Sequence, residues 1–177
     1  MPTKTINEGN LYLTDGNASV SSNEISYTNY CVEIWTPIIE YDYNNPFINI
    51  PKPLSFGKQG SESTTTIIIN LERSTETLSV TAGLLIDEAT ESAHTKRNNL
   101  ITLANAKGAL TVVFGTGSEQ VVWQKSTKPY GVNVKGLKIK KSPGKVADSN
   151  LDTTPERVYE VTMTLIRGWC VADGAEP

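Results

Sequence analysis

The side chains that most often carry enzymatic chemistry are few in this chain and far apart. There is one histidine, His94, and there are two cysteines, Cys31 and Cys170. A nucleophilic serine or cysteine needs a base beside it, and a zinc ion needs several histidine or cysteine ligands. We therefore expect no nucleophilic site and no zinc site, and we expect both cysteines to be free thiols.

Carboxylates are the remaining chemical candidates. Three of them share one loop: Asp148, Asp152 and Glu156. They could hold a hard cation, but their spacing does not match a calcium-binding loop, which favours a solvated acidic loop. The sequence thus predicts no enzymatic activity, no cofactor and no metal.

Length and composition predict one globular domain over residues 1–177. The chain is 38% hydrophobic and 20% charged, with a formal net charge of −3 at pH 7. A chain of this length buries enough surface for a core without staples. Its apolar runs are shorter than the ~20 residues of a membrane span. Its polar start does not resemble a signal peptide. We expect synthesis in a cytoplasm and no membrane partner.

One segment, Asp87 to Lys107, has the pattern of an amphipathic helix. Asp87 is the expected N-cap and Gly108 the glycine that follows the last turn. Its small and apolar residues recur at helical spacing: Ala89, Ala93, Leu100, Leu103 and Ala104. The opposite side is expected to face solvent: Glu91, His94, Lys96, Arg97 and Asn98. The pattern predicts one helix lying on a sheet.

Most other segments alternate apolar and polar residues, as strands do: Asn10–Thr14, Cys31–Trp35, Thr66–Leu71, Thr77–Ala82, Leu110–Phe114, Gln120–Trp123, Val132–Lys141 and Arg157–Arg167. The third and fourth are expected to form a hairpin, as are the fifth and sixth through Gly115 and Gly117. A β-bulge at Gly136 would keep the apolar residues of its strand on one face. The predicted fold is α+β, mainly β: a β-sandwich or barrel with one flanking helix at about 87–107.

The segment 36–63 is predicted to be a long loop or arm. Four prolines and two glycines interrupt it, so we expect no continuous ladder. It also carries Tyr41, Tyr43 and Phe47, which is more aromatic content than a linker usually holds. The arm is expected either to fold back on its own domain or to become ordered against a partner. Residues 169–177 are expected to form a C-terminal tail.

Charge is distributed unevenly along the chain. Seven lysines and no acidic residue lie between Lys125 and Lys145, whereas Glu62 to Glu91 holds six acidic residues and one arginine. The two regions could neutralise each other, or the lysines could protect a strand edge from aggregation. Nucleic-acid binding is a third interpretation, although Tyr130 alone could stack on a base. The fourth is a head-to-tail subunit contact. Its candidate residues are Glu72, Glu76, Lys138 and Lys140, together with Tyr41, Tyr43 and Phe47.

Two late segments carry a family resemblance: Gly131-Val132-Asn133-Val134-Lys135-Gly136-Leu137-Lys138-Ile139 and Arg157-Val158-Tyr159-Glu160-Val161-Thr162-Met163-Thr164-Leu165-Ile166-Arg167-Gly168. With the order hairpin, helix, hairpin and paired late strands, the chain resembles the tail tube and baseplate proteins of tailed bacteriophages and related archaeal viruses over residues 64–168. That resemblance implies a self-assembling virion protein, a tail tube or adaptor, that assembles in the host cytoplasm. Such subunits form stacked rings, contact other tail or baseplate proteins through loops or arms, and let DNA pass as cargo. Tubes of this family tend to be negative inside, and the sequence does not place the lysine-rich strand on either face.

A second function stays open. A monomeric β-sandwich could bind carbohydrate through aromatic side chains on an exposed face, since such rings suit the faces of sugars. The candidates are Trp35, Trp123, Tyr41 and Tyr43.

Overall fold

A computed structural model describes residues 1–16, 18–44, 47–51, 66–70, 75–105, 110–124, 130–142 and 158–169. Its elements in chain order are β1 (Thr3–Thr5), β2 (Leu11–Thr14), β3 (Ser19–Val20), β4 (Glu24–Ser26), β5 (Cys31–Ile34), β6 (Ile38–Asn44), β7 (Phe47–Pro51), β8 (Thr66–Asn70), β9 (Thr75–Leu85), α1 (Ala93–Asn105), β10 (Thr111–Phe114), a short 3-10 helix (Gly117–Glu119), β11 (Val121–Trp123), β12 (Tyr130–Ser142) and β13 (Val158–Trp169).

The strands form three antiparallel sheets and one further strand pair. Sheet A has the order β1-β4-β3, sheet B the order β11-β10-β2-β5, and sheet C the order β12-β13-β9-β6, while β7 pairs with β8. The predicted class is confirmed: the described chain is mainly β with a single helix. Its sheets do not close into a barrel, which is consistent with a β-sandwich and one flanking helix.

The main core lies between sheets B and C, with α1 against it. It combines side chains of both sheets with helix residues Ala93, Leu100 and Leu103. Leu100 is fully buried, as the helical pattern predicted. Two isolated bridges, Trp35–Leu84 and Leu110–Val132, connect the backbones of the two sheets.

Sheet B is covered on both faces, which the alternating patterns did not indicate. A second cluster packs sheet A against its other face through Ile6, Tyr12, Ile25, Cys31 and Val113. As a result, every residue of β2 and β5 is buried. Strands that are buried on both sides do not need to alternate apolar and polar residues.

The helix begins six residues later than predicted, at Ala93. Ser92 provides the cap, because its Oγ accepts a hydrogen bond from the backbone N–H of Thr95 at 3.2 Å. Asp87 still binds the helix start from a distance in sequence, since its Oδ1 accepts from the N–H of Ala93 at 2.6 Å. The predicted N-cap at Asp87 is therefore wrong, although the Asp87 carboxylate accepts a hydrogen bond from the first N–H group of the helix.

Two predictions about later strands are confirmed. β10 and β11 form the expected hairpin, with Gly115 and Gly117 at positive φ. A Cβ at Gly115 would lie 2.6 Å from the carbonyl oxygen of Glu119, so the turn requires glycine there. β12 and β13 pair with a register shift between Val134 and Gly136, which is the predicted bulge.

The first predicted hairpin is wrong, as is the loop that preceded it. Residues 66–70 pair with β7, and the strand at 75–85 pairs with β6 and β13. Much of the segment 36–63 is thus strand: β6 lies within sheet C and β7 belongs to the strand pair. The prolines did not prevent this, because Pro37 lies before β6 and Pro51 is the last residue of β7. Residues 52–65 lie outside the described part of the chain, as do 106–109 and the predicted tail beyond Trp169.

Candidate functional site

Sheet C has two edge strands whose outer sides are largely unpaired within the described residues, and they are called its open edges below. Its outermost strands are β12 on one side and β6 on the other. Within the described residues, the outer side of β12 is paired at Val132, which bridges Leu110, and β6 has no partner on its outer side. Unpaired N–H and C=O groups of an edge strand are a template for pairing with another chain. These edges are the first candidate site.

The β12 edge is basic. It carries four exposed lysines: Lys135, Lys138, Lys140 and Lys141. Leu137 and Ile139, which alternate with these lysines along β12, pack against the main core. Lys138 and Lys140 therefore share the opposite face of sheet C, which points away from the core. Within the sheet, Glu160 of β13 lies across from Lys140 and Thr162 lies across from Lys138.

The β6 edge is acidic and aromatic. Glu40 and Asp42 are exposed, and they lie on the same outer face of the sheet as the β12 lysines. Tyr41 and Tyr43 lie on the face of sheet C that carries the core, but they are outside the buried cluster. Their surfaces are 54% and 51% exposed. Tyr41 contacts the ring of Trp123 edge-to-face, with the ring centroids 5.7 Å apart.

The face of sheet C that points away from the core is rich in hydroxyl groups between these edges. Half-buried serine and threonine residues occupy successive outward positions of its two central strands: Thr77, Ser79, Thr81, Thr162 and Thr164. Thr164 and Ser79 lie directly across from each other. The middle of this face is therefore mainly polar, with Glu160 of β13 as its acidic residue, and it has a basic row along one side and an acidic row along the other.

The structure separates the predicted interface residues into different settings. Tyr41, Tyr43, Lys138 and Lys140 all lie at the two open edges. Glu76 instead binds Arg167 of its own chain, with Oε2 2.9 Å from Nη1. Phe47 is part of β7, and Glu72 lies outside the described residues. The acidic side of the candidate surface is therefore formed by Glu40 and Asp42, which the charge pattern of 62–91 did not include.

A second candidate site is a buried polar cluster around Glu33. This residue is 1% exposed, in the middle of β5. Its Oε1 accepts hydrogen bonds from Tyr12 Oη at 2.7 Å, Asn10 Nδ2 at 2.7 Å and Asn7 Nδ2 at 3.1 Å. Its Oε2 lies 3.0 Å from the Nζ of Lys4. The carboxylate is therefore fully bonded.

The cluster continues towards the helix through Glu88. Its Oε1 binds the Nζ of Lys96 and accepts a hydrogen bond from Trp35 Nε1 at 3.2 Å. Its Oε2 lies 3.7 Å from Lys4 Nζ, so Lys4 connects the two carboxylates. Lys96 is fully buried, which corrects its predicted place on the solvent side of the helix. Two ammonium groups thus face two carboxylates.

Ionisation in this cluster follows from its contacts. Burial alone would raise the pKa of Glu33, but hydrogen bonds from Tyr12 and Asn7 and the ammonium of Lys4 hold that pKa below its usual range. Burial would lower the pKa of Lys4, but its hydrogen bond to Glu33 and the charge of Glu33 leave it raised. Burial raises the pKa of the Tyr12 hydroxyl. These contacts thus keep Glu33 and Lys4 charged. The cluster as a whole connects sheet A, sheet B and the helix.

Sequence reasoning missed this cluster, although one signal was present. Lys96 lies four and seven residues before Leu100 and Leu103, so it belongs to the same helix face. Glu33 stands between Val32 and Ile34 in β5, and all three are buried. The pairing partners come from four separate segments, and only the fold brings them together.

The residues first considered for catalysis lie apart. His94 is exposed on the helix, and its Nδ1 is 3.4 Å from the hydroxyl of Tyr159. Cys31 is a buried free thiol, and burial raises its pKa to about 12. The acidic loop of 148–156 lies outside the described residues. Within the described ranges, no three His, Cys, Asp or Glu side chains are grouped to hold a metal ion. Their one helix falls short of the length and apolarity needed to cross a membrane.

Comparison with known proteins gives no family for this chain: no family model matches it, and no curated protein matches it.

Proposed function

We propose that the chain is a self-assembling, non-catalytic structural protein of a phage-like virion tail, either the tail tube or an adaptor. The observation that carries this proposal is sheet C, whose two open edges differ in charge. An open edge pairs readily with another strand, and two different edges on one molecule can join many copies in series. In this role the copies form a ring that stacks and contacts other tail or baseplate proteins.

Three further features support the proposal. The two segments that resemble tail proteins are β12 and β13, which pair along their length. A strand pair, β7 and β8, follows β6 and precedes β9 in the chain and is a candidate for contacts between rings. The hydroxyl-rich middle of sheet C suits the lining of a channel through which DNA passes, because the outward positions of β9 and β13 carry no basic side chain for a polyanion to bind.

The competing function is carbohydrate binding by a monomer. Of its four candidate aromatic residues, Trp123 is buried, and the Nε1 of Trp35 is bonded to Glu88. Tyr41 and Tyr43 favour carbohydrate binding, since both are about half exposed and lie two residues apart on β6.

Electron microscopy of the purified protein, with its mass in solution measured by light scattering, tests both functions. Rings or tubes and a multiple of the 19.3 kDa chain mass are expected. A monomer at high concentration that is retained on a polysaccharide column would overturn the structural role and support the alternative. The variant with Tyr41 and Tyr43 replaced by alanine is the control, because it should lose any such retention.

A further inference from the structure

The open edges of sheet C carry enough detail to name the contact between copies, and this inference rests on the proposed self-assembly. We infer that β12 of one copy pairs with β6 of the next in a register that places Lys138 opposite Asp42 and Lys140 opposite Glu40.

The direction of the strands permits this contact. Sheet C has four strands, each antiparallel to its neighbour, so its two edge strands run in opposite directions. A second copy placed beside the first by rotation about an axis along the strands then continues the antiparallel order. The alternative, a two-fold contact of β12 with β12 or β6 with β6, brings like charges together. Charge therefore favours the head-to-tail contact.

The backbone groups also match. Gly136, Thr164, Ser79 and Glu40 form one row across the sheet. In an antiparallel sheet, hydrogen-bonded and non-hydrogen-bonded pairs alternate along such a row. In a row of four, the two end residues are therefore alike. Either both Gly136 and Glu40 direct their N–H and C=O groups away from the sheet, or both direct them towards the neighbouring strand of the sheet. Gly136 of one copy and Glu40 of the next can therefore face each other in an antiparallel pair. Shifting either strand by two residues leaves its backbone groups in the same orientation, so such registers are also permitted.

The permitted registers differ in which side chains of β12 and β6 face each other. Without stagger, Gly136 would face Glu40 and Lys138 would face Ile38, so no opposite charges would meet. A stagger of four residues sets two lysines of β12 against the two acids of β6 on the outer face. On the core side it sets Ile139 against Tyr41 and Leu137 against Tyr43, which covers two aromatic rings that are about half exposed in the single chain. This register satisfies both faces at once.

The stagger agrees with the geometry of closed sheets. Four residues correspond to about 13 Å along the strands, and four strands span about 19 Å, so the strands would tilt by about 35° from the ring axis. Barrels typically tilt by roughly 35–45°. The core, sheet B and the helix all lie on one side of sheet C, so this side must face outward and the hydroxyl-rich face must line the channel.

The direction of the stagger agrees as well. Leu84 lies on the outer face of β9 and exchanges two backbone hydrogen bonds with Trp35, at 2.9 and 3.0 Å. For L-residues this fixes the view from the core side: with β9 pointing up, β6 is on the left and β12 on the right. Right-handed twist makes strands climb to the right in that view. A row of paired residues, which runs across the strands, therefore descends to the right from one copy to the next. Since β6 points down, the row that leaves one copy at Gly136 meets β6 of the next copy at a residue later than Glu40, as the inferred register requires.

Paired cysteines test this register. In a Cys170→Ser background, the chain carrying Glu40→Cys and Lys140→Cys should form disulfides between copies, because directly opposite residues have Cα atoms about 4.5–5.5 Å apart. The matched control carries Glu40→Cys and Gly136→Cys, which report the unstaggered register and lie about 13 Å apart in the inferred one. A Cβ at Gly136 meets no atom within 4 Å, so the control should fold. Cys31 is buried and should not react.

The readout is a non-reducing gel of each oxidised variant beside a micrograph of the same sample. A ladder of multimers from the first pair and none from the control is expected. A ladder from the control alone would overturn the register. Rings or tubes without either ladder would overturn the β12–β6 contact and leave the proposed function standing. If neither ladder nor any assembly is found, both the contact and the proposed function are wrong.

Discussion

The buried cluster around Glu33 and the edges of sheet C use the same charged residue types in opposite ways. In the cluster, two lysines and two glutamates from separate elements of the fold bind one another inside one chain. At the edges, lysines lie on one side of a sheet and acids on the other, separated by two strands. Buried opposite charges are thus a device for holding one molecule together. Exposed charges separated by a whole sheet can meet directly only between molecules.

The largest expected effect comes from breaking the cluster. Glu33→Ala would leave the Lys4 ammonium and three hydrogen-bond donors without their acceptor in a buried site. Removing one partner of a buried ion pair costs about 3–5 kcal/mol of unfolding free energy. Urea denaturation measures it.

Two further variants sharpen this measurement. Glu33→Gln keeps the shape and one acceptor, so its loss should be smaller. Lys140→Ala at the sheet edge should change the unfolding free energy by no more than about 0.5 kcal/mol. Equal effects at Glu33 and Lys140 would abolish the distinction between the two regions.

The next effect concerns Lys96, whose burial distinguishes it from every lysine of β12. Lys96→Met keeps the apolar stem but leaves Glu88 with one ammonium fewer. In a double-mutant cycle with Glu88→Gln, we expect a coupling energy of about 1–3 kcal/mol, as found for residues in contact. The same cycle with Lys138→Met in place of Lys96→Met should give a coupling near zero. Comparable couplings would indicate that the two lysines interact with Glu88 through long-range charge alone.

A third effect depends on pH. The pKa of Glu33 is lowered in the folded protein, so its contribution to stability is complete above the unfolded-state pKa of about 4.3 and is lost as pH falls through the folded pKa. The unfolding free energy of the wild type should therefore fall more steeply with acid than that of Glu33→Gln. Subtracting the two curves between pH 3 and pH 7 removes the contribution of carboxylates common to both. Parallel curves would show that the cluster does not hold Glu33 ionised.

Sequence reasoning was reliable for patterns that depend on neighbouring residues. The helix face of Leu100 and Leu103, the glycine turn between β10 and β11, and the bulge at Gly136 all follow from local spacing. Strand pairing was less reliable, because it depends on contacts far apart in the chain. β9 was assigned to its nearest strand in sequence, whereas it pairs with β6 and β13.

The candidate sites show the same limit. The basic edge was predicted because its lysines are close in sequence. Its acidic counterpart was placed at Glu72 and Glu76, since β6 was taken for a loop. Deleting residues 36–63 would remove β6, whose Ile39 packs on the core. A test of the arm as a contact between subunits must therefore keep residues 38–44.

The smallest effect expected from a single pair of charges lies at the sheet edges, and it depends on the proposed assembly. Changing Lys138 and Lys140 to glutamate sets like charges across the inferred contact. Exposed pairs contribute at most about 1 kcal/mol each, so the concentration at which copies assemble should rise about tenfold, while the unfolding free energy stays within about 0.5 kcal/mol of the wild type. Glu40→Lys with Asp42→Lys in the same chain should restore assembly, whereas Glu76→Lys should not, because Glu76 binds Arg167 of its own chain. Salt at about 0.5 M should reduce the difference between wild type and variant by screening. Assembly that responds to neither reversal nor salt would leave the apolar contacts of Tyr41 and Tyr43 to hold the edges together.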